Sequence, residues 1–219
     1  SMREYRSAAA HADFLRREGF EVEEGVAGVP TAFTARYGSG RPVIGILGEY
    51  DALSTLSQKA CITHREPEQA GGSGHGCGHN LLGTGSVAAA VAVKTLIADG
   101  ALPGTIVFYG CPGEEGCAGK TFMARAGMFR DLDAALCWHP GDTNEVRVGS
   151  NAATLQYVYT FRGVSAHAAD NPEMGRSALD ALELMNVGVQ FLREHMPRTA
   201  SVHYAVLDTG GISPNVVQS

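Results

Sequence analysis

Three short, almost continuously apolar runs constrain this chain most: Pro42-Val43-Ile44-Gly45-Ile46-Leu47, Thr105-Ile106-Val107-Phe108-Tyr109-Gly110 and Asp133-Ala134-Ala135-Leu136-Cys137-Trp138. A strand with one wet face alternates polar and apolar residues. Unbroken apolar runs suit strands buried on both faces, as in a parallel sheet covered by helices. Helical patterns stand between and before them. Residues 4–18 place Tyr5, Ala8, Ala9, Ala12 and Leu15 at helical spacing, and Gly19 ends the pattern. Residues 81–97 are small and apolar apart from Lys94, which predicts a helix buried on most of its surface. A further helix is expected over 120–126. The first half therefore reads as an α/β fold.

In open α/β sheets, sites form beyond the carboxyl ends of the strands. The first run feeds Gly48-Glu49-Tyr50-Asp51-Ala52-Leu53, two carboxylates at one strand end. The second delivers Cys111-Pro112-Gly113-Glu114-Glu115-Gly116, where adjacent carboxylates repel unless a proton or cation compensates them. The third ends at His139 before Pro140. A long polar loop over 54–73 leads into Gly74-His75-Gly76-Cys77-Gly78-His79-Asn80, at the entrance to the 81–97 helix. Thiolate and imidazole are preferred ligands of borderline-soft divalent metals. Cys77 with His79 or His139 also has the composition of a thiol nucleophile and its base, so both chemistries stay open at this point.

From about Arg147 the character changes. Residues 153–162 and 201–207 read as strands, and 177–195 as an amphipathic helix carrying Leu179, Leu182, Leu184, Met185, Val189 and Leu192. Between them lies the small-residue loop Gly163-Val164-Ser165-Ala166-His167-Ala168-Ala169, and a Gly210-Gly211 turn comes later. The order βαββ is the opening of a ferredoxin-like unit without its last helix and strand. This predicts that the chain belongs to a longer polypeptide. Two domains are expected, 1–146 and 147–219.

A formal net charge of −6 with no Lys/Arg cluster argues against a nucleic-acid partner. No apolar run of about 18 residues is free of breakers and charges, so no membrane span is expected. Five cysteines, an odd number in a chain that is 44% hydrophobic and can build a core, read as reduced cytoplasmic thiols. Cys111 and Cys137, at the ends of apolar runs, are expected in the core.

Taken together and in order, the motifs around Asp51, Cys77, Glu114, His139 and His167 resemble the M20 metallopeptidase family, in its amidohydrolase branch (subfamily D). The resemblance implies an M20-type catalytic domain, a parallel-rich mixed sheet with flanking helices. It also implies an inserted ferredoxin-like lid that commonly dimerises, both incomplete in this chain. It implies two divalent metal ions, Zn or Mn, with Cys77 bridging them, His79 and His139 completing one site, and Glu115 belonging to the other. A further His ligand near the family's C-terminus has no counterpart here. Glu114 is implied as general base, Asp51 as a carboxylate behind the ligands, and His167 as a substrate contact on the lid. The implied reaction is hydrolysis of an amide bond to an amino acid, in a p-aminobenzoyl-glutamate-like, N-acyl amino acid or dipeptide substrate. The implied partners are that small molecule and a second subunit, identical or related, held through the lid. A non-catalytic, partner-dependent subunit is the alternative, against which the intact Glu114-Glu115 pair counts.

Overall fold

The computed structural model describes residues 2–146, 148–210 and 213–219. Arg147, where the second domain is expected to begin, and Gly211 of the expected turn lie outside the described residues. The chain separates into two compact units, Ser1–Asn144 and Glu145–Ser219.

The first unit is built on a five-stranded mixed sheet. Its strands are β1 (Glu21–Glu24), β2 (Phe33–Ser39), β3 (Val43–Glu49), β4 (Gly104–Cys111) and β5 (Ala134–Leu136), in the order β1-β2-β4-β3-β5. The three apolar runs become β3, β4 and β5. They are mutually parallel across β4-β3-β5, while β1 and β2 add antiparallel. Every residue of β4, the central strand, is buried. Asp133 aligns β5 with β3: its Oδ2 accepts the Val43 N–H at 2.7 Å, and the Val43 carbonyl accepts its own N–H at 2.8 Å. The Val43 N–H, with Arg41 nearby, holds the Asp133 carboxyl below its ordinary range.

Helices cover both faces. On one, α1 (Tyr5–Arg17) and α2 (His79–Ala98) bury Ala8, Ala12, Leu15, Val87 and Ala90 against Phe33, Ile46, Ile106 and Phe108. On the other, Met123 of α4 (Gly119–Arg125) packs with Val43, Val107, Tyr109 and Cys111. Each large apolar side chain so buried contributes about 1.5–3 kcal/mol. Between β4 and α4 lies the single turn α3 (Glu114–Cys117).

Three expectations need correcting here. The 81–97 segment forms most of α2, yet burial is confined to the stripe His79, Leu82, Gly83, Ser86, Val87 and Ala90. Leu81 and Leu96 are exposed, because only one side of the helix meets β3 and β4. By length and composition α2 is apolar enough to cross a membrane, against the expectation of no such segment. Its stripe nevertheless packs on a sheet. Cys137 is exposed, because β5 is the sheet's edge strand and exposed throughout.

The second unit contains α5 (Ala178–Leu192), capped by Ser177, whose Oγ accepts the Asp180 N–H at 3.0 Å. The strands expected over 153–162 and 201–207 do not form, so the βαββ order of a ferredoxin-like unit is absent from the described residues. A strand exists only against a partner. Here Leu155, Tyr157, Val158 and Tyr159 are each more than 60% exposed, and no layer covers either side of the segment. Two isolated bridges, Val164 with Arg176 and His167 with Val216, are the β-type pairings among the described residues of this unit.

Candidate metal centre

β3, β4 and β5 are parallel, so their carboxyl ends share one edge of the sheet. Each delivers polar side chains there. Glu49 ends β3, with Asp51 two residues on. Glu114 and Glu115 open α3 after β4, and His139 comes just after β5. The Cys/His loop approaches the same edge because α2 starts at His79. Gly78 precedes it with φ +79°, a left-handed conformation that suits glycine.

His79 is fully buried, and its Nδ1 lies 2.9 Å from Asp51 Oδ1. An ionised carboxylate only accepts, so Nδ1 carries a proton, and the neutral ring then presents its lone pair at Nε2. Asp51, 1% exposed, uses its second oxygen to accept the Glu115 N–H at 2.9 Å. One carboxylate thus orients the imidazole and fixes the α3 turn. His139 is arranged in the same way. Its Nδ1 donates to the Pro140 carbonyl at 3.0 Å, which leaves Nε2 facing Cys77 Sγ at 3.3 Å. Trp138 steadies that segment by donating its indole N–H to the Leu82 carbonyl and Ser86 Oγ, both at 3.2 Å.

The ligand atoms fall into two groups that share His79: Cys77–His79–His139, and Glu49–His79–Glu114. The rings of His79 and His139 meet edge-on with centroids 5.5 Å apart. Glu49 Oε2 lies 3.1 Å and Glu114 Oε2 3.9 Å from His79 Nε2. Lys120 pairs with the other Glu49 oxygen. Burial pulls the Lys120 ammonium down, but its bond to Glu49 and the surrounding anions outweigh this, so it stays charged. Burial, then the carboxylates of Glu115, Glu114 and Glu49, push the Cys77 thiol up. A divalent cation would reverse that, since a coordinating thiol is deprotonated.

These residues fit a metal on their own chemistry. His79 Nε2 and Glu115 Oε1 are buried polar atoms with no hydrogen-bond partner, and a buried acceptor left so is costly. His79 Nε2 belongs to both ligand groups, a mixed S/N/O donor set of the kind zinc and manganese accept, and the Glu115 carboxylate faces Cys77 beside them without joining either group.

The sequence-predicted residues Cys77, His79, His139, Glu114 and Asp51 are gathered here, and Glu115 turns its carboxylate toward Cys77. His167 belongs to the second unit, where its Nδ1 accepts the Ala169 N–H at 3.2 Å. His75 joins neither group; burial, then the nearby His79, lowers its basicity. Glu49 was not assigned from sequence. The one available signal was its place beside Asp51 at a strand end.

Residues 45–214 match the sequence profile of Peptidase family M20/M25/M40. The chain belongs to this family. Among curated relatives it is 51% identical over 216 residues to a p-aminobenzoyl-glutamate hydrolase subunit of Escherichia coli (strain K12), covering 99% of this chain and 45% of that protein. It is 32% identical over 232 residues to Xaa-Arg dipeptidase of Mus musculus, covering 98% and 49%. The chain therefore spans about half the length of these relatives. A dinuclear metal binding peptidase of the M20 family from Bacillus subtilis superposes with TM-score 0.52 at 25% identity, over 62% of this chain and 36% of that one. An aminobenzoyl-glutamate utilization protein from Klebsiella pneumoniae superposes with TM-score 0.59 at 20% identity, over 99% and 59%, which supports the fold. The family match together with the likeness at 51% identity places the chain in the amidohydrolase branch of M20.

Proposed function

We propose that this chain carries the metal-binding part of a metal-dependent amidohydrolase that cleaves an amide bond to an amino acid. The observation that carries this reading is the shared edge of β3, β4 and β5, where two ligand groups meet at a buried His79 whose Nε2 has no hydrogen-bond partner. Cys77, His79 and His139 would hold one ion, and Cys77 with Glu115 part of a second. When bound, such ions supply Lewis-acid polarisation of a carbonyl and acidify water. Asp51 keeps His79 in the tautomer that leaves Nε2 free, and fixes the backbone of Glu115. Glu114, more exposed than its neighbour, is the general base that takes a proton from water and passes it to the leaving amine. His167 is the substrate contact, and the second unit is part of a lid that also forms the dimer. The support for both is the sequence order around His167. The named activity of the relative at 51% identity favours a p-aminobenzoyl-glutamate-like substrate over dipeptides. A cytoplasmic location suits a ligand set that needs Cys77 reduced.

The test is hydrolysis by the full-length protein of a panel of aryl-glutamates, N-acyl amino acids and dipeptides. Activity should fall on chelation and return with Zn or Mn. Activity that survives chelation but is lost on alkylation would mean that Cys77 is a nucleophile. The word "subunit" in that relative's name favours one further reading, that turnover needs a second, related chain. Activity that appears only on mixing the two proteins would establish it.

A further inference from the structure

Glu49 closes β3 with a side chain that is 13% exposed, and its two oxygens are divided between different neighbours. Oε1 accepts from Lys120 Nζ. Oε2 lies 3.1 Å from His79 Nε2, yet the approach lacks hydrogen-bond geometry and Nε2 stays unpartnered. In the neutral ring Asp51 holds the proton on Nδ1, so two lone pairs face each other across 3.1 Å inside a buried site. That arrangement is repulsive unless a proton or a metal cation lies between the two atoms; a shared proton needs the hydrogen-bond geometry that this approach lacks, whereas a metal ion touching both atoms does not. The spacing suits a metal ion: ligand bonds of about 2.0–2.2 Å to nitrogen and carboxylate oxygen place neighbouring donors roughly 3 Å apart at a right angle and about 3.3–3.6 Å apart at the tetrahedral angle, so 3.1 Å lies at the close end of that range.

We propose that Glu49 is a further metal ligand of this centre, presented to His79 by Lys120 acting as a positioning residue. This rests on the metallohydrolase reading above. The Lys120 ammonium fixes one oxygen of Glu49 and compensates part of the charge gathered by Glu49, Glu114 and Glu115. The other oxygen then faces the ion with little freedom left to lose. Glu114 Oε2, at 3.9 Å from the same nitrogen, stands one step further out, where a base rather than a ligand belongs.

The experiment is Co²⁺ titration of metal-free full-length protein, read by visible absorption and by bound metal after dialysis. The variants are Glu49→Gln, Lys120→Met and Lys120→Arg. Glu49→Gln should weaken Co²⁺ binding by about tenfold or more and shift the d–d bands, while the thiolate charge-transfer band from Cys77 remains. Lys120→Met should weaken binding less, and Lys120→Arg should restore it. Parent-like affinity and d–d bands in Glu49→Gln would overturn the assignment. If Glu49→Gln does not fold, Lys120→Met decides by the same criterion. Parent protein that takes up no Co²⁺ at all would instead overturn the metallohydrolase reading, so the two failures are distinguishable.

Discussion

Replacing Asp51 by Asn removes one charge from a buried side chain while keeping its size. In the parent, Oδ1 accepts from His79 Nδ1 and Oδ2 accepts from the Glu115 N–H, both at 2.9 Å. An amide has one accepting oxygen and one donating nitrogen. If its oxygen serves Glu115, its NH₂ meets the His79 Nδ1–H donor to donor, unless the proton moves to Nε2. Moving it fills the lone pair that a metal needs. If its oxygen serves His79, the Glu115 N–H is left facing another donor. Either way one bond to a charged acceptor is lost in a site that is 1% exposed at Asp51. Such bonds are worth about 1.5–3 kcal/mol. For a chain of this length each kcal/mol lowers Tm by about 2–4 °C, so the metal-free variant should melt roughly 3–12 °C below the parent. Metal affinity should fall about 10–100-fold, the usual cost of losing a partner that orients a ligand. Calorimetric melting of metal-free protein and a metal-binding isotherm measure the two effects separately. Parent-like melting together with parent-like affinity would refute the idea that Asp51 orients His79.

Glu114→Ala in the full-length protein should abolish turnover with metal content intact, whereas Glu115→Ala should lower occupancy. Metal analysis beside a hydrolysis assay checks both, and the reverse pattern would exchange the two roles. Gly83→Ala places a Cβ 2.5 Å from the Glu49 carbonyl oxygen and 2.7 Å from His11 Cε1, and the backbone atom cannot swing aside. Overpacking of about 1–3 kcal/mol should exceed the roughly 1 kcal/mol that Ala gains over Gly in a helix; urea unfolding should show a net loss. Burial drives the Cys111 thiol up to about 12, with Glu49 adding and Lys120 opposing. Alkylation of the folded protein at mildly alkaline pH should therefore modify exposed Cys61, Cys117 and Cys137 and spare Cys111, as peptide mass spectrometry can show.

Much of the first unit was legible because its signals are local. The runs that became β3 and β4 show their two-sided burial as unbroken apolar sequence, and a parallel sheet necessarily gathers the residues just beyond its strands' carboxyl ends. Thus Cys77, Glu114 and His139 could be brought together from residues 62 apart at the extremes. Glu49 could not be singled out, because Lys120, which draws it into place, lies 71 residues away with no fixed spacing to reveal it. The small-residue run of α2 shows that close packing is permitted, not how many sides are packed. Only the stripe through Leu82, Ser86 and Ala90 is. The β-branched and aromatic residues over 153–162 likewise say that a strand is permitted. A strand also needs a neighbour, and no local pattern supplies one.

Trp138 is the sole tryptophan of the sequence. It sits one residue before His139, with its indole N–H tied to the Leu82 carbonyl and Ser86 Oγ. All indole emission from this chain therefore originates beside the metal centre. A quenching ion such as Co²⁺ should dim it in proportion to occupancy, so loading and release can be followed in real time without a label. The same fluorophore bridges β5 to α2, so its emission wavelength also reports the docking of the sheet's edge strand as the chain folds.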